Sequence, residues 1–269
     1  MEAELQAALD AARRAGAIIL DAYERFEAVP DARADISTDA DRRSQEAILA
    51  CLRERFPADA LCAEEQTPTL AAAPRAGARL WIVDPIDGTR GFAKKNGEFS
   101  VMVGFVRDGE IGVGVVLEPG ARRLTYAVRG GGCWRLDGDA AGPVRCSVSA
   151  TAALADATLV QSHSKRGETS GPVRALRPKA VRETYSAGLK LALVARGEVD
   201  LYVNTYAAFH DWDICAGHIL VTEAGGRVTG LRGEELRYGT EGAWQRHGLL
   251  ATNGLLHDAS LEGLRKGEG

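Results

Sequence analysis

The sequence contains no uninterrupted apolar run of about eighteen residues, so no membrane-spanning helix is expected. Histidine is scarce, with five in 269 residues and none clustered. The five cysteines (Cys51, Cys62, Cys133, Cys146 and Cys215) are scattered and form no C-x-x-C pair. A zinc site is therefore not expected, and the cysteines read as reduced, small core residues. No excess of positive charge exists: 33 Lys and Arg against 37 Asp and Glu leave a net charge of −4. That balance argues against a nucleic-acid polymer as partner. The acidic start, Met1-Glu2-Ala3-Glu4, lacks the basic and apolar regions of a secretory signal, so a cytoplasmic protein is expected. G-x-x-x-x-G-K-[ST] and G-x-S-x-G are both absent, which removes P-loop nucleotide hydrolysis and nucleophile-elbow serine chemistry.

What is present is ordinary in bulk, 45% hydrophobic and 26% charged residues, in a length that suits one large domain or two intimate ones. The informative stretch is Leu80-Trp81-Ile82-Val83-Asp84-Pro85-Ile86-Asp87-Gly88-Thr89. A short apolar run, expected as a buried strand, ends in one aspartate, and a second follows three residues later. Two carboxylates at a strand end can share a divalent cation. Gly88 and Thr89 open a turn or helix whose free N–H groups can hold a phosphate oxygen. Cation and phosphate side by side point to metal-assisted phosphoryl transfer. Taken alone, the same stretch also reads as a strand followed by an ordinary Asp-Gly turn.

Periodicity predicts amphipathic helices over 2–27 and 40–56. The polar segment Asp35 to Asp41 between them suits capping of the second. Residues 66–78, rich in Ala and Pro, read as a surface loop. Strands are expected at Phe99 to Val106, Ile111 to Leu117 and Leu124 to Val128, with Asp108-Gly109 as the hairpin turn between the first two. From about residue 150 the pattern alternates. Strands are expected at Thr158 to Gln161, Val199 to Val203, Arg227 to Thr229 and Gly248 to Ala251. Helices are expected at Ala187 to Arg196 and at Trp212 to Ala224, the latter ended by Gly225-Gly226. This predicts an N-terminal half, 1–147, with antiparallel sheet, and a C-terminal α/β half, 148–269.

Acids cluster where local structure changes: Asp41 after Thr38, Glu64-Glu65, Asp84 with Asp87, and Asp213 at a helix start. Carboxylates from separate segments can supply two or three Mg²⁺ ions, which take hard oxygen ligands. Each cluster also has a plainer use. Asp41 can cap a helix, Glu64-Glu65 can be a solvated pair, and Asp213 can favour a helix dipole. An EF-hand is ruled out because Asp35 to Asp41 lacks its glycine and terminal glutamate.

Taken in order, these segments resemble the lithium-sensitive, Mg²⁺-dependent inositol monophosphatase superfamily. Ala63-Glu64-Glu65 resembles its Gly-Glu-Glu element. Trp81 to Thr89 resembles its first signature. Trp212-Asp213-Ile214-Cys215-Ala216-Gly217 with Glu223-Ala224-Gly225-Gly226 resembles its second. The resemblance covers nearly the whole chain. It implies an α/β sugar-phosphatase fold, a layered αβαβα sandwich with an antiparallel N-terminal sheet, a mixed C-terminal sheet and the site between the halves. Glu64, Asp84, Asp87, Asp213 and the Ile86 carbonyl would be metal ligands. Asp41 would pair with Thr89 to orient the attacking water beside Glu64, and Gly88 with Thr89 would meet the phosphate. A homodimer and inhibition by lithium are also implied.

Arg90 to Val101, with its Lys94-Lys95-Asn96-Gly97-Glu98-Phe99-Ser100-Val101, is similar to the CysQ-type 3′(2′),5′-bisphosphate nucleotidase branch. Ser162-His163 and Gly188-Leu189-Lys190 resemble elements of that branch. His163 would lie against an adenine, and Lys190 would approach a second phosphate. Two positions depart from the branch: Ala187 stands where it usually has Ser, and Asn204 where it often has Arg. The expected activity is hydrolysis of 3′-phosphoadenosine 5′-phosphate to AMP and phosphate by a metal-activated water. Inositol-1-monophosphatase, or a related sugar or histidinol phosphatase, remains open. A non-catalytic Mg²⁺- or phosphate-binding relative would be expected to have lost one of the five acids.

Overall fold

The computed structural model describes residues 1–267 apart from 34–35, 139, 141, 165–167 and 207–208, so Asp35 lies outside the described residues. Two helices come first, α1 (Glu2–Arg25) and α2 (Asp39–Arg55). β1 (Ala60–Ala63) and the short α3 (Pro68–Ala71) follow, the latter lying in the stretch expected as loop, with its proline in the first turn where no N–H is needed. Next are β2 (Arg79–Asp87), α4 (Thr89–Ala93), β3 (Ser100–Arg107), β4 (Glu110–Glu118), β5 (Arg123–Val128), β6 (Gly132–Asp137) and β7 (Val144–Arg145). The remainder runs β8 (Thr158–Gln161), α5 (Gly171–Leu176), β9 (Ala180–Glu183), α6 (Ala187–Ala195), β10 (Leu201–Asn204), β11 (Phe209–His210) and α7 (Asp211–Glu223). It closes with β12 (Arg227–Thr229), β13 (Trp244–Gln245), β14 (Leu249–Thr252) and α8 (His257–Gly267). Among the described residues no helix is long and apolar enough to cross a membrane.

The first seven strands form one sheet in sequence order, antiparallel except for the parallel edge pair β1–β2. A second, mixed sheet has the order β12-β14-β10-β8-β9, with β8 parallel to β9 and β10 and the other pairs antiparallel. Alternation along the strands sends side chains to opposite faces and builds the layers. Trp81, Val83, Val101, Val103 and Phe105 pack in one core with α1 and α2. Leu80, Ile82, Met102 and Val106 belong to a second core that includes α6, α7 and one face of the second sheet. Leu159, Leu201, Val203 and Leu250 on the other face pack with Leu176 of α5 and Leu264 of α8. The stack is helices, sheet, helices, sheet, helices. α7 lies close on the first sheet because β4 has glycine at residue 114, where a Cβ would come within 2.3 Å of the Ala216 carbonyl oxygen.

The turn at Asp108-Gly109 has both residues at positive φ, 52° and 82°, the backbone that suits a two-residue hairpin. Of more consequence is the end of β2. Asp84 pairs with Met102 and Asp87 with Ser100, so three steps on β2 face two on β3. Residues three apart on a regular strand point to opposite faces. The single extra residue, next to Pro85 with its missing N–H, brings Asp84 and Asp87 to the same face.

Candidate active site

Acidic residues from three segments meet in one cavity of about 830 Å³ lined by Glu64, Asp84, Ile86, Asp87, Gly88, Thr89, Lys190 and Asp213, among others, with Asp41 behind Thr89. Oxygens of Asp84, Asp87 and Asp213 lie within 4.8 Å of one another. Glu64 sits outside that trio, open to the cavity, with its carboxyl against that of Asp84.

Each acid is fixed by a local device. Asp41 is the third residue of α2 and accepts from the Thr38 backbone N–H (2.8 Å) and hydroxyl (2.6 Å) with one oxygen. Its other oxygen accepts from the Thr89 hydroxyl at 3.2 Å. Asp213 repeats the scheme in α7. Its Oδ2 accepts from the His210 N–H at 2.6 Å, which closes the capping box, while the side chain still contributes to the trio. In Asp41 the helix-capping and site-facing contacts are thus divided between the two oxygens of one carboxylate. Asp87 instead caps a helix from outside. It accepts from the N–H groups of Ala187 (3.0 Å) and Gly188 (2.6 Å), from the Ser186 hydroxyl, and from Ser100 at 3.2 Å. The start of α6 therefore holds an acid of the first sheet, favoured by the positive end of the helix dipole.

Gly88 makes the last turn. Its φ of +88° is costly for other residues, and a Cβ there would fall 2.6 Å from the Glu98 carbonyl oxygen. The Thr89 hydroxyl lies 3.0 Å from the Ile86 carbonyl, which keeps a second lone pair turned elsewhere.

Burial raises the pKa values of Asp41, Glu64, Asp84 and Asp213, and for Glu64 and Asp84 repulsion by neighbouring acids comes next. Asp84 lies well above the carboxylate range, through burial first and the charges of Glu64, Asp87 and Asp213 next. Glu64 is pushed up to about 8, Asp213 to about 7 and Asp41 to about 6, with burial the largest cause in each. One oxygen of Asp84, Oδ1, is buried with no hydrogen-bond partner among the described residues. An all-oxygen set, mutually repelling and with an unsatisfied buried carboxylate oxygen, fits a hard divalent cation.

Lys190 is 1% exposed and so is not a solvated helix lysine. Its Nζ donates to the Ser162 hydroxyl (3.1 Å) and the Tyr185 carbonyl (3.0 Å), and lies over the Tyr202 ring. Burial lowers its pKa to about 8, against the pull of Asp87, Glu98 and Asp213. His163 does not line the acid cavity. Its Nε2 is 2.7 Å from Glu98, and its ring lies 4.4 Å from that of Tyr185, which does line it. Sequence reasoning missed the aromatic wall of Tyr185, Tyr202, Tyr206, Phe209 and Trp212, and also Arg90. Aromatic residues are only 6% of the chain, and these come from separate segments with no common spacing to reveal them.

A family model described as the inositol monophosphatase family matches residues 1–266. The chain is 35% identical over 227 residues to a fructose-1,6-bisphosphatase/inositol-1-monophosphatase of Thermotoga maritima, covering 83% of this chain and 80% of that one. It is 33% identical over 272 residues to a histidinol-phosphatase of Mycobacterium tuberculosis, covering 98% of each. It is 30% identical over 247 residues to a 3′(2′),5′-bisphosphate nucleotidase CysQ of Salmonella typhimurium, covering 90% of this chain and 96% of that one. Among solved structures, a Thermotoga maritima IMPase superposes with a TM-score of 0.82 at 31% identity, covering 100% of this chain and 98% of that one. With acids converging in one cavity and similarity along almost its whole length, the chain belongs to the inositol monophosphatase family, a family of phosphatases.

Proposed function

We propose that this protein is a Mg²⁺-dependent phosphomonoesterase acting on a 3′(2′),5′-bisphosphate nucleotide such as 3′-phosphoadenosine 5′-phosphate. The observation that carries the reading is the pairing of two features in one cavity: an acid cluster, and the buried cation Lys190 among aromatic lining residues. Glu64, Asp84, Asp87, Asp213 and the Ile86 carbonyl would hold two or three Mg²⁺ ions. When bound, these lower the pKa of a coordinated water and neutralise charge on phosphoryl oxygens.

The chain's own groups supply the rest. The single proton of the Thr89 hydroxyl has two acceptors in reach, Asp41 at 3.2 Å and the Ile86 carbonyl at 3.0 Å; in this reading it goes to Asp41 and leaves the lone pairs to accept from the attacking water. Asp41, whose pKa is raised to about 6, can receive a proton relayed through that hydroxyl. Glu64 opens to the same space and is a second acceptor for the water. The backbone N–H groups of Gly88 and Thr89 face the phosphate in this reading. Lys190 takes the second phosphate, and His163, through Tyr185, borders the base. Residues 1–147 would carry most ligands, and 148–269 the substrate contacts and Asp213.

The names of the relatives favour a second reading, a sugar, inositol or histidinol phosphatase. Phosphate release with Mg²⁺ from 3′-phosphoadenosine 5′-phosphate, inositol 1-phosphate, fructose 1,6-bisphosphate and histidinol phosphate, run side by side, tests the choice. The nucleotide should have the highest kcat/KM. A strong preference for inositol 1-phosphate would reject the nucleotidase reading and leave the phosphatase standing.

A further inference from the structure

We propose that Arg90 is a specificity-determining residue that binds the phosphate not being hydrolysed, so that the cavity selects bisphosphates over monophosphates. The proposal deepens the reading above and rests on it. Arg90 follows Gly88-Thr89 in the first turn of α4 and lines the cavity that holds the acids. Its guanidinium carbon stands 4.9 Å from the centre of the Tyr185 ring. Its Nε is buried and has no hydrogen-bond partner among the described residues. A buried donor on a cation left without an acceptor is costly, and beside a cavity a ligand oxygen can supply that acceptor.

Tyr185 links this arginine to Lys190. The ring carries the Arg90 guanidinium, while the carbonyl accepts from Lys190 Nζ at 3.0 Å. Tyr185 is in turn held by Glu98, which accepts its N–H at 3.1 Å and lies 2.7 Å from His163 Nε2. The Arg90 and Lys190 cations of the lining are therefore both tied to one residue, Tyr185. At Asn204, which also lines the cavity, there is no charge. A substrate whose only phosphate sits at the acids leaves Arg90 unmatched. A second phosphate offers oxygens to the planar fork of N–H groups that arginine presents and lysine does not.

The test compares substrates that share the scissile phosphate: 3′-phosphoadenosine 5′-phosphate against 3′-AMP, and fructose 1,6-bisphosphate against fructose 1-phosphate. Each is assayed with the Mg²⁺-loaded wild type, Arg90→Gln and Arg90→Lys. In the wild type kcat/KM should favour the bisphosphate of at least one pair. In Arg90→Gln that ratio should fall roughly 10- to 100-fold, mostly through KM, and Arg90→Lys should recover only part of it. The pair that responds identifies a nucleotide or a sugar as the carrier of the second phosphate. Inhibition of the wild type by the product 5′-AMP, weakened in both variants, would support the nucleotide arm without turnover. A wild type that favours neither bisphosphate overturns the bisphosphate reading and this inference together. A wild type that favours one, with Arg90→Gln lowering both members of the pair equally, overturns the role of Arg90 alone. Should Arg90→Gln fail to fold, an Arg90→Lys enzyme with an unchanged ratio and unchanged 5′-AMP inhibition overturns that role equally.

Discussion

Replacing Asp84 by asparagine should strengthen the cation-free protein while removing its response to Mg²⁺. Asp84 is 2% exposed, one of its oxygens has no partner among the described residues, and three other carboxyls raise its pKa. An unsatisfied buried group costs about 1–3 kcal/mol. Asparagine keeps the shape, removes the charge and offers an N–H₂ to neighbouring carboxylates. In EDTA at pH 8, Asp84→Asn should therefore be more stable by about 2 kcal/mol, or roughly 4–8 °C in melting temperature for a chain of this size. The sign follows from linkage. A carboxyl whose folded pKa is raised contributes full stability below its unfolded value near 3.8 and loses it as pH climbs toward the folded value. The advantage of the variant should then shrink as the pH is lowered to 4. With Mg²⁺ at 100 times its dissociation constant the wild type gains about 2.7 kcal/mol. The variant should gain little, so the order of the two melting curves reverses. Differential scanning calorimetry in EDTA and in MgCl₂ reads both effects. An Asp84→Asn protein less stable than wild type in EDTA, or one with the same Mg²⁺ shift, would show that Asp84 is neither a strained buried charge nor a metal ligand.

Three other outcomes are expected. Thr89→Val should lower turnover by roughly 10²-fold in a folded enzyme, because the proposed relay from the attacking water to Asp41 runs through this hydroxyl; steady-state kinetics on a folded variant check this. Gly188→Ala should cost about 1–3 kcal/mol in urea unfolding, since a Cβ would lie 2.5 Å from Ser100 Oγ and disturb the helix start that holds Asp87. His257, fully buried between Thr229 (3.0 Å) and Thr252 (3.1 Å), has its pKa lowered to about 4, by burial first and the Arg227 charge second. Its stabilising effect is complete above its unfolded value near 6.5 and is lost as pH falls toward 4, so about 2 kcal/mol should go between pH 7.5 and 5. Urea unfolding of His257→Gln should lack that share of the slope.

Much of the fold was legible because the strands that build it are apolar, regular and punctuated. Phe99 to Val106 and Ile111 to Leu117, with Asp108-Gly109 between them, lie within one residue or two of β3 and β4. Elements with weak local signals were not. α5 begins with Gly171-Pro172, which reads as loop, and α8 has only Leu261 and Leu264 as large apolar residues along its length. The edge strand β9, Ala-Val-Arg-Glu, is mostly exposed and looks like any polar turn. The acids could be named from their segments, but their common facing could not. It depends on the extra residue after Asp84 and on two aspartates, Asp41 and Asp213, that cap a helix start and also face the site. Arg90 stood at the head of the stretch Arg90 to Val101 without a role of its own, because its partner, Tyr185, lies 95 positions later in the chain.

Crystals soaked in Mn²⁺ with inorganic phosphate would show, by anomalous scattering, whether these acids hold common cations beside a phosphate. Anomalous peaks bridged by Asp84, Asp87 and Asp213 are expected, with Glu64 at their edge and phosphate density over Gly88 and Thr89. Peaks elsewhere, or a cavity that stays free of metal at saturating Mn²⁺, would contradict the assignment.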